Sequence, residues 1–563
     1  MVKIPDAANK IPMMFRAQTA GRCQLQRIVK DKEKQDVELW TSEWIEKTDY
    51  KPPKLNSEIQ TQTYQINWRF VTNGGQDDGI IRPVIGAYGW PYYPGSSMKG
   101  IFRSACNIEQ KQRYCGKDIG NSDWQPGILR FHGGYPTDEE WQKNLVDIVH
   151  PQQPWQVGIP QNKKDGAFAL ISLYQPELIF GISATQKLTE EEWKKIWNIW
   201  EKAIAKGLGC RVSSGYGQSK IETKPLYSCQ LKGQGMAAKL LDGEAEFRPN
   251  IFRAGIRGHA MRIFGGLTTA NQAIELVETL FGGVQNHGTV GLLTMYFEEN
   301  SLNMGQFGQG AFKVDTYNVE GKLKWFLTQS LPDTQKDALT QLIKALTRFA
   351  MIFGGFGKSW RRADHRLFFP DYYEDSRKPL IGCHWQWSGT RSLLNDVGVR
   401  SLDKIASYID DKVLKVAKDW MKLQGITPTP NNYAKDWREA WHPNTVEVWG
   451  RLADEAEDSR AIVWFHQAYR KGDRQFNIKE GTIYKSHLTG EAGRDSKVGH
   501  IWHRMFPRVV LKKNPDNPKK PIPHKTRQYF ELITFFPDNS ADSEEFLDFL
   551  YDEQKQFKKL WPL

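Results

Sequence analysis

The chain has 563 residues, 77 of them Lys or Arg and 65 Asp or Glu, with 39% hydrophobic and 12% aromatic residues. That length exceeds one ordinary core, and that composition excludes global disorder. The formal charge of +12 favours a polyanionic partner. No run of about 18 apolar residues occurs and the start, Met1-Val2-Lys3-Ile4-Pro5-Asp6, does not read as a signal peptide, so a cytoplasmic protein without a membrane partner is expected.

Six scattered cysteines (Cys23, Cys106, Cys115, Cys210, Cys229, Cys383) form no C-x-x-C pair, which argues against a disulfide framework or a zinc ribbon. After polar, irregular sequence, Tyr64-Gln65-Ile66-Asn67-Trp68-Arg69-Phe70 alternates large apolar and polar residues and predicts a half-buried strand. A loop with Gly74, Gly75, Asp77, Asp78 and Gly79 follows. The run Pro94-Gly95-Ser96-Ser97-Met98-Lys99-Gly100-Ile101-Phe102-Arg103 predicts a glycine-bearing basic turn that opens a helix. Phe168 to Leu173 and Leu178 to Ile182 predict a hairpin around Gln175-Pro176-Glu177. Thr189 and Glu192 have the spacing of a capping box; Trp193, Ile196, Trp197, Trp200 and Ile204 then share one helix face, a core stripe by its period. That helix ends at Gly207 and runs into a glycine loop through Arg211, Gly215 and Gly217.

The order then repeats, which implies an internal duplication: a first domain over 1–230, a linker over 231–246 and a second domain over 247–563. In the second copy the turn and helix lie at 254–264, with Gly255, Arg257, Gly258, His259 and Arg262. A helix runs through Glu275, Glu278 and Leu280 to Phe281-Gly282-Gly283, and Thr289 to Phe297 reads as a strand. Asp333 to Ile352 predicts a helix with Leu339, Leu342, Ile343, Leu346 and Phe349 inward, again discharging into a glycine loop, Gly354 to Gly357, followed by Lys358, Arg361 and Arg362. Residues 370–500, with a helical pattern over Leu402 to Leu423, lack a counterpart and read as an insertion. Tyr529 to Phe536 predicts the last strand, after a proline-broken basic stretch with Lys512, Lys513, Lys519, Lys520, Lys525 and Arg527. An acidic amphipathic helix with Phe546, Phe549, Leu550 and Phe557 closes the chain, poised to dock on its own basic sheet or on a neighbour. Each half thus reads as α+β, an antiparallel sheet with helices on one face.

Lys99 and Arg103 are four residues apart, so on a helix they project from one face and reach consecutive phosphates. Backbone amides at Gly95, Ser96 and Ser97 add donors at a helix start. The plainer alternative is a capped helix with two solvated charges. A Walker A reading of Gly357-Lys358-Ser359 fails, because Ile352 stands where that motif needs glycine. Asp77 and Asp78 either serve chemistry or form an ordinary Asp-Gly turn. His500 with His503, and Cys383 beside His384, complete no metal spacing. Trp385-Gln386-Trp387 and the cluster from Trp502 to Phe506 either stack bases or fill core.

The Pro94 to Gly100 turn followed by Arg103 closely resembles the turn-helix signature of the repeat-associated mysterious proteins, the RAMP superfamily of CRISPR effector subunits. The glycine loops at 207–217 and 353–357 are similar to that superfamily's other hallmark, and Ile256 to Arg262 with Leu280 to Gly283 resembles subunits of type III effectors. The resemblance covers roughly 60–365 and the closing strands. It implies two ferredoxin-like domains in tandem, arranged as in type III-D effectors, and partners that are CRISPR guide RNA, target RNA and other type III subunits. The implied RNA-binding residues are Gly95, Ser96, Ser97, Lys99, Arg103, Arg211, Gly215, Gly217, Arg257, His259, Arg262, Lys358, Arg361 and Arg362. Catalytic relatives carry an aspartate before the Pro-Gly-Ser-Ser turn. The corresponding residue here is Asp78, with Asp77 beside it, and a Mg or Mn ion on Asp78 would support target cleavage. Asp242 lies too close to the second motif to play that part. Two alternatives stand: a purely structural subunit, and a stand-alone guide-processing endoribonuclease in which His259 would serve as base.

Overall fold

Among the described residues, three antiparallel sheets of three or four strands carry the main helices, and a further four-stranded sheet in the first unit includes one parallel pair. The computed structural model describes residues 36–72, 74–77, 80–120, 123–149, 157, 168–220, 224–240, 244–283, 288–374, 377–429, 431–470, 481–490, 498–515, 517 and 520–563. They divide into two compact units, one of 1–151, 164–224 and 239–244, the other of 152–163, 225–238 and 245–563.

The first unit is built on β1 (Gln60–Gln65), α1 (Gly95–Ala105), β2 (Leu129–Pro136), β3 (Glu177–Ala184) and α2 (Glu190–Ile204). The sheet runs β1-β3-β2, with both pairings antiparallel. Thr189 caps α2 as its sequence predicts, its hydroxyl accepting the Glu192 N–H at 3.2 Å. The return half of the capping box is absent, because the Glu192 carboxylate instead accepts Arg113 Nε at 2.7 Å. The tryptophan stripe is core: Trp197, Trp200 and Ile204 are buried, and Trp200 lies 5.0 Å from the Phe180 ring.

Three expectations for this unit are corrected. Phe168–Ile171 and Leu173–Tyr174 do not pair with β3; they pair with Val146–Val149 and Arg69–Phe70. Both edges of β3 are already taken by β1 and β2, so no hairpin partner fits there. The strand read from Tyr64 to Phe70 is broken into β1 and Arg69–Phe70, because Ile66 turns away to bridge Ser219. A helix over Asp36–Glu46 stands in sequence that looked irregular, held by Trp44 against Trp141 with rings 4.9 Å apart.

In the second unit β4 (Tyr227–Met236), α3 (Asn250–Gly265), α4 (Ala270–Phe281), β5 (Leu293–Phe307), β6 (Val314–Leu327), α5 (Asp333–Phe353) and β7 (His384–Trp387) form one set. Its sheet runs β5-β6-β4-β7, antiparallel throughout. In order of appearance the strands stand second, third, first, fourth, the split arrangement in which each helix crosses over one intervening strand.

The same arrangement then recurs. β8 (Glu447–Ala453), α6 (Arg460–His466), β9 (Ile501–Lys512), β10 (Ile522–Phe535), α7 (Ala541–Asp552) and β11 (Lys558–Trp561) give a sheet ordered β9-β10-β8-β11. The expected duplication is therefore, in topology, a threefold repeat. The segment 370–500, read as an insertion, supplies β7 to one sheet and β8 to the other. The helical pattern at Leu402 to Leu423 is observed, as consecutive turns with a wider π-type stretch at Tyr408–Leu414.

Residues 231–236, placed in a linker by composition, are the second half of β4. Gly233 and Gly235 disguised it: a Cβ on Gly233 would lie 2.2 Å from the Trp385 ring, so glycine is required for packing. The acidic helix α7 docks on its own sheet, with Phe546, Phe549 and Leu550 in one cluster with Ile533 and Phe535. It does not close the chain, because β11 follows it and pairs with β8. The α+β class expected from the sequence is observed.

Candidate nucleic-acid interface

In the first unit α1 begins at Gly95, directly against β2. A Cβ on Gly95 would sit 2.1 Å from the Phe131 carbonyl oxygen, so only glycine lets the helix start so close to the sheet. Met98 and Phe102 bury the inner face, and their spacing turns Ser96, Ser97 and Arg103 outward, with Lys99 half-buried. Ser96 and Ser97 thus stand exposed where first-turn amides point away from the helix. The Cys115 thiol records the local field: a hydrogen bond from Cys106 first, and then Lys99, Arg103 and Lys111, lower it below the usual thiol value.

The first glycine loop reaches the same place. Tyr93 precedes Pro94, and its hydroxyl takes a backbone hydrogen bond from Gly209. Gly209, Gly215 and Gly217 have φ of +74°, +92° and +63°, and Arg211 itself is left-handed at +56°. A Cβ on Gly217 would fall 1.9 Å from the Leu208 oxygen and one on Gly209 2.1 Å from the Val71 oxygen. These glycines serve close backbone approach: Leu208 N–H donates to Gly217 O and Cys210 N–H to Val71 O, both at 2.8 Å. Arg211 is half-buried and Gly215 buried. The turn, the helix and the loop are brought together, as the sequence pattern requires.

Asp77 lies in a two-residue strand, Gln76–Asp77, paired with Ile80–Ile81. Asp78 lies outside the described residues. Among the described residues, which do not include Asp78, no three His, Cys, Asp or Glu side chains converge as a metal site.

The second copy differs. Its glycine turn is not a turn: Gly255 and Gly258 lie inside α3, and Gly255 makes room for the Phe356 ring, 2.9 Å from where its Cβ would be. His259 and Arg262 are each 1% exposed, which corrects their expected place in a nucleic-acid surface. Arg262 Nε donates to Glu439 Oε2 at 2.7 Å, and Arg361 Nη2 and Arg438 Nη2 donate to Glu439 Oε1 at 2.8 and 3.1 Å. Burial opposes that carboxylate's charge, yet Arg262, Arg361 and Arg438 hold it at about 2. Burial first, then the positive charge of Arg262 and Arg361, pushes His259 well below its ordinary value and keeps it neutral at pH 7. Gly354 is packing too, since a Cβ there would meet His259 Nε2 at 2.5 Å.

Of the remaining residues, Arg362 donates to the carbonyls of Ile501 and Thr489, and burial lowers it to about 10. Arg257 is half-buried, with burial lowering its value against the pull of Glu278. Lys358 is exposed and donates to Ala237 O at 2.9 Å. The basic set of the second copy therefore divides: His259 and Arg262 are buried, Arg257, Arg361 and Arg362 are half-buried, and Lys358 is exposed. Sequence reasoning missed Glu439, the hub of that network, since a lone glutamate between Arg438 and Ala440 carries no periodic signal. It also missed Tyr93, which its place beside Pro94 could have flagged. Trp385 and Trp502, named as base-stacking candidates, are fully buried core.

No family model matches the chain, and no curated protein matches it. Among solved structures, a type III-B Cmr-beta complex bound to cognate target RNA is similar over 29% of this chain and 58% of that chain, at 20% identity and a TM-score of 0.23. A type IV-B CRISPR complex is similar over 28% of this chain and 87% of that chain, at 16% identity and a TM-score of 0.20. The chain thus spans 58% of the first of these structures, and both likenesses are confined to less than a third of its own length.

Proposed function

We propose that this chain is an RNA-binding RAMP-type subunit of a type III CRISPR effector, with ferredoxin-like domains, in which the first unit grips guide RNA along its backbone and positions complementary target RNA. The observation that carries the reading is the meeting of α1, with exposed Ser96, Ser97 and Arg103 and half-buried Lys99, and the glycine loop at Tyr93 and Gly209. Exposed Ser96 and Ser97 and fixed charge on one helix start suit a phosphodiester chain, while the Gly95 N–H is already donated to the Tyr92 hydroxyl at 3.2 Å. Sequence choice would then rest on base pairing, so the protein reads only backbone and shape.

The strand order second-third-first-fourth supports ferredoxin-like domains in the second unit, and β1-β3-β2 is the same order without its fourth strand. Were the subunit catalytic, cleavage of the target would fall to Asp78, with Asp77 as its neighbour and Mg or Mn as the implied cofactor. A second reading, a structural subunit without chemistry, is favoured by the way Gly209 and Gly217 are consumed by internal packing. The stand-alone endoribonuclease loses its base, because His259 is buried.

The test is to purify the protein with its native assembly and sequence the bound nucleic acid. Short RNAs with a fixed repeat-derived end are expected. An assembly free of RNA overturns the reading.

A further inference from the structure

The third repeat carries a groove that the RNA reading does not use. It lies between α6, the chain just before it and α7, with a volume of about 400 Å³, which accommodates a few side chains. Its floor is aromatic: Trp464 and Phe549 have ring centroids 5.0 Å apart and nearly perpendicular, and Tyr469 lies 4.6 Å from Phe549. Its rim carries the carboxylates of Glu457, Asp458 and Glu553 against the guanidinium of Arg460. Asp458 is partly committed, accepting Arg451 Nη1 at 3.0 Å, whereas Glu457 is exposed.

Ring faces present negative charge to a cation, and carboxylates around them hold it by direct attraction. Burial is the main cause that raises the Tyr469 hydroxyl above its ordinary value; the nearby Glu545 and Asp542 carboxylates add to it and Arg470 opposes them. The whole chain is strongly basic, so an acidic, aromatic-floored groove on it is a local reversal of charge that repels a polyanion and selects a polycation.

We propose that this groove docks a lysine- or arginine-bearing segment of a partner protein, one cationic side chain entering over Trp464 and Tyr469 and its neighbours pairing with Glu457 and Glu553. The proposal stands apart from the RNA reading, since no residue of the groove belongs to the candidate interface of the first unit.

The test is titration of the purified full-length chain with a short arginine-rich peptide, followed by calorimetry at low and high salt. Saturable one-to-one binding that weakens with salt is expected. Glu457→Lys combined with Glu553→Lys is expected to weaken it at least about tenfold with the melting temperature unchanged. Trp464→Leu is expected to weaken it by a similar factor, and Trp464→Phe, which keeps a ring, by less. Binding unaltered by the charge reversal overturns the proposal. So does equal affinity for a free polyamine, which would assign the groove to a small cation instead of a protein segment. Absence of peptide binding by a folded, unmodified chain overturns it as well; the chain is first freed of nucleic acid by nuclease and high salt, because an arginine-rich peptide also binds RNA.

Discussion

Arg262 and Glu439 form a fully buried ion pair, Nε to Oε2 at 2.7 Å, that ties α3 to the segment leading into the third repeat. Arg361 and Arg438 share the same carboxylate, so one negative charge answers three guanidinium groups inside the second unit.

Glu439→Ala should therefore be severe. It strands Arg262 in the core without its counter-charge, and breaking a buried pair from one side costs about 3–5 kcal/mol. Chemical denaturation should show that loss, with a cooperative transition displaced to lower denaturant. A change below about 1 kcal/mol would mean that the guanidiniums find other partners and that the hub is not a keystone.

Acid should unfold the second unit in two stages. Glu439 and Glu531 are held at about 2 in the fold, below the ordinary carboxylate value, so their stabilisation is complete above about 4.5 and is lost as pH falls towards 2. His384 and His466, lowered by burial to about 3 and about 4, are neutral in the fold and gain protons on unfolding below about 6.5. Melting temperature should be flat near pH 7, fall between roughly 6.5 and 4.5, and fall more steeply below that. A flat profile down to pH 5 would contradict the histidine contribution.

Lys99→Ala and Arg103→Ala should weaken RNA retention equally across sequences and flatten its salt dependence by about 0.7 in the log-log slope for each phosphate that the variant no longer grips. Their stability should move by less than about 0.5 kcal/mol, as Arg103 is exposed and Lys99 only half-buried. Arg262→Met should do the reverse, lowering stability and leaving the salt slope of the folded fraction unaltered. Filter binding at several salt concentrations separates the two.

Gly217→Ala places a Cβ at φ +63° and 1.9 Å from the Leu208 oxygen, so the loop must open. The strain alone costs about 1–3 kcal/mol. Both thermal stability and RNA retention should drop. Gly100→Ala, on the outer face of α1 with open space around it, is the control and should be neutral or stabilising.

Asp78→Ala in the assembled complex should abolish cleavage of paired target RNA and leave RNA content unchanged. Unchanged cleavage at every site would leave the subunit a binding scaffold.

Much of the local structure was legible in the sequence. The Thr189 cap, the tryptophan face of α2 and the inward leucines of α5 follow from a 3.6-residue period that needs no partner to be recognised. The turn-helix at Gly95 and its glycine loop were legible for the same reason: glycine and proline mark backbone that must bend whatever surrounds it. Tertiary structure decided the rest. Strand β4 was hidden because Gly233 leaves room for Trp385, a residue 152 positions away, so its pairing is set by packing that composition cannot express. The third repeat was hidden because its strands answer distant partners, β8 lying between β10 and β11. The fate of the charges was hidden most of all. Arg103 and Arg262 look alike as letters in a basic helix, yet one is exposed and the other is buried against Glu439, because only the fold fixes which side of a helix meets a buried carboxylate.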